Sequence, residues 1–229
     1  MSSKSLCIAI ETASRTSSVA VLNGDRFTEL NRDAQLTHSQ TLLPQLEEVL
    51  KQSGVPRGAI EMIAVSIGPG SFTGLRIGLA TAKSLSYAWN VPIVGVPTLE
   101  ALAYHFPFDR VLTMMDAQKN KAYSQRFECM KAVDDIRVQS IEEIISTAGA
   151  LGEKIILCGD AVEKIKIDLP SNVSIAPMNL KMPRAVNVGI CARRLLSAGH
   201  VDNVMNLEPL YVRRSEAEVL WEKRHPSSD

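Results

Sequence analysis

The sequence predicts an α/β protein built from two similar lobes, each with a mixed sheet and flanking helices. Two observations support this fold class. The order strand-strand-strand-helix-strand-helix is expected twice along the chain, at about a hundred residues per copy. A glycine-rich turn at residues 68–78 also joins a β-branched run to a helix-forming run, which is typical of a strand–turn–helix unit. We expect the first lobe at residues 1–105 and the second lobe, with a C-terminal tail, at residues 106–229.

The first lobe has clear strand and helix signals. Strands are expected where apolar and β-branched residues cluster, at residues 6–10, 17–22, 26–30, 62–67 and 91–96. Helices are expected at residues 42–50, at residues 75–89 and from Thr98 onward. Asn23-Gly24 favours a two-residue hairpin turn, and Pro44 predicts a kink or a helix start near Thr41.

The second lobe repeats this order with weaker signals. Strands are expected at residues 111–115, 123–128, 136–139 and 154–158. Helices are expected at residues 141–147 and 184–197, and an extended tail with a short helix follows. The first strand of each lobe ends in an acid, Glu11-Thr12 in one and Asp116 in the other. These residues either face each other across a cleft between the lobes or simply cap turns.

The composition excludes some classes of protein. The 229 residues include 25 basic and 25 acidic side chains, so no strong field attracts nucleic acid or a membrane. This argues against tight RNA binding by the chain alone, but it leaves open a surface shared with a basic partner. The apolar segment between Lys4 and Glu11 is too short for a signal peptide or a membrane span. Four widely spaced cysteines also fit a reducing cytoplasm: Cys7, Cys129, Cys158 and Cys191.

The glycine-rich turn matches neither common phosphate-binding motif. A Walker A loop needs Lys followed by Ser or Thr after its last glycine, whereas Leu75-Arg76 follows Gly74. The glycine spacing also differs from the dinucleotide fingerprint Gly-x-Gly-x-x-Gly. Ser71 and Thr73 fit helix caps better than a catalytic triad, because no histidine lies at a recognisable spacing.

Small residues recur every fourth position after the turn, at Gly74, Gly78, Ala82 and Ser86. A glycine inside a helix costs roughly 1 kcal/mol relative to alanine, so two of them indicate a packing reason. The stripe would let another backbone approach closely. That neighbour could be a second subunit or the protein's own sheet, and the residues alone do not decide between them.

Two lobes of this pattern are the architecture of the actin, hexokinase and Hsp70 class, and four segments give a more specific resemblance. They occur in matching order along nearly the whole chain: Ile10-Glu11-Thr12-Ala13, Thr37-His38-Ser39-Gln40-x-Leu42-Leu43-Pro44, the block at residues 68–78, and Pro209-x-Tyr211-x-Arg213. Together they resemble the TsaB (YeaZ) family of bacterial tRNA threonylcarbamoyladenosine biosynthesis proteins.

The resemblance implies a non-catalytic subunit without a cofactor. It would bind the catalytic paralogue TsaD through the first lobe, help recruit the ATPase TsaE, and support transfer of a threonylcarbamoyl group to the adenosine beside the tRNA anticodon. It would meet tRNA only through that complex and form a homodimer when TsaD is absent. The expected partner interface comprises Leu42, Leu43, Leu46, Gly70, Ser71, Phe72, Thr73, Gly74, Arg76, Gly78 and Ala82.

Two other functions would need residues that this sequence lacks. A stand-alone actin-like ATP-binding enzyme would need a glycine at its first phosphate hairpin, which Glu11-Thr12-Ala13-Ser14 lacks, and Asp160 would repel phosphate in the second lobe. A metallopeptidase would need a His-x-x-x-His pair, but Leu42 stands four residues after His38. A basic cluster remains, which is either a solvated helix face or a surface for RNA or a partner: Arg184, Arg193, Arg194, Arg213 and Arg214.

Overall fold

The computed structural model describes residues 4–33 and 38–212. Within these residues the first lobe contains a five-stranded mixed sheet in the order β3-β2-β1-β4-β5. Its strands are β1 (Cys7–Glu11), β2 (Thr16–Asn23), β3 (Arg26–Asp33), β4 (Met62–Gly68) and β5 (Ile93–Pro97). Strand β2 is antiparallel to both of its neighbours, β1 and β3, and β4 and β5 run parallel to β1.

Both faces of this sheet are buried, and side-chain size differs between them. One face carries branched residues such as Ile8 and Ile10 beneath α1 (His38–Ser53) and α2 (Phe72–Trp89). The other carries small residues such as Ala9 and Ala20 beneath α5 (Ala185–Ser197). Successive residues of a strand point to opposite faces, so this alternation places the small side chains toward α5.

The second lobe contains a six-stranded mixed sheet among the described residues. It has the order β11-β10-β6-β7-β8, and β9 pairs with β7: β6 (Arg110–Asp116), β7 (Lys121–Glu128), β8 (Lys131–Ala132), β9 (Arg137–Ser140), β10 (Ile155–Cys158) and β11 (Val173–Ile175). Helix α4 (Ile141–Ala150) covers one face and begins with a capping box at Ser140. Helix α3 (Thr98–Ala103) packs between the two lobes in a shared apolar core.

The C-terminal part of the described chain departs from the expected domain boundary. Helix α5 contacts strands β1, β2, β4 and β5 of the first sheet, although its position in the sequence assigns it to the second lobe. The segment after it also follows the first sheet: Asp202 bridges to Ile93, and the N–H of Leu210 donates to the carbonyl of Ile67 at 2.7 Å. The described residues from Ala185 onward therefore belong with residues 4–105. The small side chains under α5 explain this packing, because they leave room on this face of the first sheet for a helix from the C-terminal part of the chain.

Most predicted elements are confirmed, with shifts at their ends. Helix α2 begins at Phe72 rather than Leu75, and α1 continues through Pro44. The two 3₁₀ helices, η1 (Arg57–Ala59) and η2 (Asp160–Lys164), had no signal in the sequence. The expected short helix of the tail lies outside the described residues. No helix in residues 4–33 or 38–212 is long and apolar enough to span a membrane.

Candidate functional site

The glycine-rich turn leads directly into α2 and caps it. The Ser71 hydroxyl accepts a hydrogen bond from the N–H of Gly74 at 3.2 Å, as an N-cap residue does. This confirms the interpretation of Ser71 as a helix cap. The turn residues Ser71, Phe72 and Thr73 are exposed, whereas Gly74 and Leu75, which follow them, are buried.

The stripe of small residues packs inside the protein. A Cβ atom at Gly74 would lie 2.0 Å from the backbone oxygen of Thr12, and one at Gly78 would lie 2.1 Å from Thr12 Oγ1. The Thr12 hydroxyl donates to the carbonyl of Gly74 at 2.8 Å, which fixes this close approach. Ala82 is fully buried in the first-lobe core. The expectation that Gly74, Gly78 and Ala82 contact a partner is therefore wrong, because the end of β1 already occupies their surface.

Part of the predicted interface on α1 is also internal. Leu42 and Leu46 lie on the side of α1 that faces the sheet and are buried in the same core. Leu43, on the opposite side of α1, is 56% exposed. The helix therefore presents only its outer side to solvent, and the prediction for Leu42 and Leu46 is corrected.

The turn between β1 and β2 corresponds to the first phosphate hairpin of actin-like proteins, and the chain itself covers it. Residues 11–14 are at most 1% exposed. The N–H of Ala13 donates to Glu11 Oε1, and the carbonyl of Ala13 accepts from the N–H of Ser71 at 2.6 Å. A Cβ at Gly70 would lie 2.3 Å from the same carbonyl oxygen. These residues do not fit a bound nucleotide, since phosphate oxygens need exposed N–H groups.

The turn after β10 of the second lobe is also covered by the chain's own backbone. A Cβ at Gly159 would lie 1.9 Å from the backbone oxygen of Met114, and the N–H of Gly159 donates to the carbonyl of Lys181 at 2.7 Å. Asp160 Oδ1 accepts from the N–H of Asp116 at 2.7 Å. An aspartate in this place would repel a phosphate, as the sequence predicts.

Glu11 and Asp116 each cap a turn rather than face each other, because Glu11 accepts from the N–H of Ala13 and Asp116 Oδ1 accepts from the N–H of Gln118 at 2.8 Å. The Asp116 carboxylate pairs with Lys164 at 2.7 Å, whereas the second-lobe charge that acts on Glu11 is that of Asp160. Burial raises the pKa of Glu11 to about 7, although the N–H of Ala13 opposes this shift. Burial also raises the pKa of Asp160 to about 6. The pKa values of both acids are thus raised where the lobes meet.

A salt bridge joins the lobes beside these acids. Arg15 Nη1, in the turn after β1, lies 2.8 Å from Glu163 Oε2 in η2. Lys181 Nζ lies 2.8 Å from Glu163 Oε1. Together with the shared core around α3, this pair connects the two lobes.

Exposed side chains remain on α1 and α2, and those of Phe72 and Arg76 on α2 form a cluster with Tyr211. The Arg76 guanidinium lies 3.9 Å from the centroid of the Phe72 ring, and its Nε donates to the Tyr211 hydroxyl at 3.0 Å. The Phe72 and Tyr211 rings are 5.5 Å apart. We call Leu43, Phe72, Thr73, Arg76 and Tyr211 the α1–α2 outer surface. These contacts hold Phe72 in place although it is 39% exposed.

Histidine and cysteine side chains give no sign of catalysis in the described residues. No group of three His, Cys, Asp or Glu side chains that could hold a metal occurs within them, and the His38 side chain lies outside them. His105 Nε2 contacts the carbonyl of Met182 at 3.0 Å, and burial lowers its pKa. Burial raises the pKa of Cys7 and of Cys191 to about 12, so neither thiol is a ready nucleophile.

Two members of the basic cluster are structural, which the sequence did not indicate. Arg184 hydrogen-bonds the carboxylate of Glu29, whose side chain is only 2% exposed. Arg193 is buried and donates to the carbonyls of Ser5 and Gly24 at 2.8 and 2.7 Å. Both therefore tie α5 to the first sheet. The only sequence signal for the Arg184–Glu29 pair was an isolated glutamate in a β-strand. The other arginines of the basic cluster include Arg213 and Arg214, which lie outside the described residues.

Comparison with known proteins identifies the family. The family model for tRNA N6-adenosine threonylcarbamoyltransferase (TsaD) matches residues 31–221. TsaB of Haemophilus influenzae is 25% identical, and the alignment covers 94% of this chain and 95% of that protein. TsaB of Bacillus subtilis is 26% identical over 93% of this chain and 96% of its own length. TsaB of Escherichia coli is 33% identical, over 53% of this chain and 54% of its own length.

Solved structures agree with the fold. A Pseudomonas aeruginosa protein described as similar to peptidase YeaZ superposes with a TM-score of 0.79 at 25% identity, covering 91% of this chain and all of the other. YeaZ from Pseudomonas aeruginosa gives a TM-score of 0.77 at 24% identity, with the same coverage. The fold is thus the two-lobed actin-like α/β fold. The chain belongs to the family of tRNA N6-adenosine threonylcarbamoyltransferase domains, and within it to the TsaB (YeaZ) proteins of tRNA threonylcarbamoyladenosine biosynthesis.

Proposed function

We propose that the chain is a non-catalytic subunit that binds TsaD and supports its transferase reaction. The covered phosphate hairpin carries this proposal: Gly70 and Ser71 pack against Ala13, where an actin-like enzyme would bind phosphate. A chain that keeps the two-lobed fold while filling its own nucleotide site is better suited to binding a partner than to phosphoryl chemistry. The surface of this chain that binds TsaD must then lie outside the cleft between the lobes.

The α1–α2 outer surface is the proposed contact with TsaD. It combines two exposed apolar side chains, Leu43 and Phe72, with the cationic Arg76. Exposed apolar side chains beside arginine are typical of protein interfaces. The ring contacts that hold Phe72 and Arg76 reduce the side-chain entropy lost on binding. We propose that the same surface forms a homodimer when TsaD is absent.

TsaE and tRNA are proposed to join through the assembled pair. The chain has no net charge, so it lacks the surplus of basic residues that binds RNA by phosphate neutralisation. We therefore assign tRNA contact to the complex rather than to this subunit alone. We propose a cytoplasmic location, where tRNA is modified.

The test is copurification of the full chain with TsaD from the same organism. Leu43→Asp and Phe72→Asp should each abolish copurification, because they place a carboxylate in the proposed contact. Phe108→Asp is the matched control, since Phe108 is 88% exposed and lies in the loop between α3 and β6 rather than on α1 or α2. All three proteins should keep the same thermal unfolding midpoint. Loss of TsaD only with Phe108→Asp, or with none of the variants, would overturn the assignment.

Two further measurements test the recruitment of TsaE and the absence of an actin-like nucleotide site. Adding TsaE to the purified pair should yield a ternary complex, which the Leu43→Asp protein does not form. Isothermal titration of the isolated chain with ATP should show no binding that requires Mg²⁺, and a micromolar Mg-ATP affinity that is lost without Mg²⁺ would contradict a covered phosphate hairpin.

A further inference from the structure

A cavity of about 370 Å³ lies between the β2–β3 hairpin and helix α5. Its apolar walls are Leu22 from β2, Phe27 from β3, and Val186 and Ile190 from α5. Helix α5 covers the face of the first sheet opposite to α1 and α2. This cavity is therefore separate from the α1–α2 outer surface and independent of the function proposed above.

Arginines dominate the charge around this cavity. Arg193 is only 7% exposed, and both of its hydrogen bonds go to backbone carbonyls rather than to a carboxylate. Its Nη2 atom is buried and has no hydrogen-bond partner among the described residues. A buried guanidinium without an ion pair is unusual, because burying a charge is costly unless an opposite charge lies close to it. Arg193 therefore leaves a positive charge beneath the cavity that an anion would stabilise.

Two more arginines line the cavity and are exposed to solvent. Arg26 makes no side-chain hydrogen bond or ion pair within residues 4–33 and 38–212. Arg194 contacts the Tyr104 ring at 5.8 Å and the Met130 sulfur at 4.0 Å, so it too has no carboxylate bonded to it in that part of the chain. Each offers a planar fork of N–H donors to a ligand.

The acidic groups nearby are already engaged. Asp25, the only acid lining the cavity within the described residues, lies 2.7 Å from Lys4 Nζ, and its charge also acts on Arg193. Glu61 acts on Arg193 from outside the cavity, and its carboxylate accepts from the N–H of Leu6 at 2.7 Å. Glu100 faces Arg194, and burial raises the pKa of Glu100. The cavity therefore keeps a surplus of positive charge in a chain whose net charge is zero.

The apolar walls define the other half of the ligand. Leu22 and Val186 are buried at the base, and the Phe27 ring is 53% exposed at the rim. A flat or aliphatic group could pack on these side chains while its anionic end meets Arg26 and Arg194. The cavity volume lies within the range of about 300–1,000 Å³ that is common for small-molecule sites.

We propose that this cavity binds a phosphate monoester attached to a planar apolar group, such as an aryl or nucleoside phosphate. A phosphate monoester carries about −1.5 to −2 at neutral pH, which matches three arginines better than a single carboxylate does. Arginine forks also bind phosphate oxygens in pairs. Because Arg193 Nη2 is buried, Arg193 contributes its charge, whereas Arg26 and Arg194 make the direct contacts. A free small molecule and the terminal phosphate of an RNA chain share this chemistry.

Isothermal titration of the full chain tests the proposal without any partner. The probes are phenyl phosphate, AMP, adenosine and inorganic phosphate. Phenyl phosphate and AMP should bind at one site per chain, at least tenfold more tightly than inorganic phosphate or adenosine, because both halves of the ligand contribute. A 5′-phosphorylated trinucleotide that binds tenfold more tightly than AMP identifies the RNA end as the source, and equal or weaker binding identifies the free molecule.

Exposed residues allow variants that keep the fold. Arg26→Gln and Phe27→Ser should each weaken AMP binding at least tenfold, whereas Arg137→Gln, an exposed arginine on β9, should leave it unchanged. Thermal unfolding checks that all three remain folded. The proposal fails if AMP does not saturate a site, if inorganic phosphate binds as tightly as phenyl phosphate, or if Arg26→Gln binds AMP like the unmodified chain.

Discussion

Gly78 faces Thr12 across a close contact between α2 and the end of β1, which makes its replacement a quantitative test of the packing. The added Cβ of Gly78→Ala would lie 2.1 Å from Thr12 Oγ1, well inside ordinary van der Waals contact. Either the Thr12 hydroxyl moves or α2 shifts away from the sheet. Both responses disturb the hydrogen bond from Thr12 to the Gly74 carbonyl.

The expected cost follows from three contributions. Overpacking a core costs about 1–3 kcal/mol, and loss of the Thr12 hydrogen bond costs about 1 kcal/mol. Alanine recovers about 1 kcal/mol over glycine through helix propensity. We therefore expect Gly78→Ala to lower the free energy of unfolding by about 1–3 kcal/mol.

A second substitution separates packing from any other effect. In a Thr12→Ala background the offending oxygen is gone, and the nearest remaining Thr12 atom is Cβ at 3.3 Å, so Gly78→Ala should become nearly neutral. Gly74→Ala should not be rescued, because it meets the backbone oxygen of Thr12 at 2.0 Å, which alanine retains. Gly58→Ala is the matched control, since a Cβ there has nothing within 4 Å.

Urea unfolding of the single and double variants measures these couplings. The cycle should give an interaction energy of about 2 kcal/mol between Gly78→Ala and Thr12→Ala. If the two losses instead add within about 0.5 kcal/mol, Gly78 does not pack on Thr12 and the stripe is free for a partner after all.

Other predictions concern charge and capping. Glu11 has a pKa raised to about 7, so the folded state holds its proton more tightly than the unfolded chain and stability should fall between about pH 4.5 and 7; Glu11→Gln should flatten that slope in unfolding curves measured across this range. Glu29→Ala should lower the free energy of unfolding by roughly 2–3 kcal/mol, less than the loss of a fully buried pair because the Arg184 side chain is 32% exposed; a change below 0.5 kcal/mol in urea titration would contradict the clamp on α5. Ser140→Ala should cost about 1 kcal/mol through loss of the α4 capping box, seen as a lower unfolding midpoint, while Ser84→Ala on the exposed side of α2 should not.

The order of strands and helices could be read from the sequence because it depends on local pattern. The strand that ends at Glu11 follows from adjacent residues, and so does the β2–β3 hairpin, although its two turn residues are Gly24 and Asp25 rather than Asn23 and Gly24. The packing partner of α2 could not be read in the same way. A stripe at Gly74 and Gly78 has the same spacing whether it meets another subunit or Thr12, which lies 62 residues away from Gly74. Only the fold brings that strand end beneath the helix.

The prediction that α5 belongs to the second lobe failed for a related reason. Its apolar pattern predicts a helix correctly, but the pattern carries no information on which sheet will bury it. The answer lies in Ala9, Ala20 and Gly189, whose small size allows the helix and the first sheet to come together. A Cβ at Gly189 would lie 2.5 Å from a methyl carbon of Leu22. Complementarity of this kind belongs to pairs of distant segments, so a single segment does not reveal it.

The closed cleft also bears on how this subunit would act on a partner. In a nucleotide-driven actin-like protein the lobes must separate to admit the ligand, whereas here Leu99 and Met115 share a fully buried core between the lobes. Opening would expose that core and break the Arg15–Glu163 salt bridge. The two lobes are therefore expected to move as one body, and a partner meets a surface that is already formed. Binding energy would then go into positioning the partner rather than into rearranging this chain.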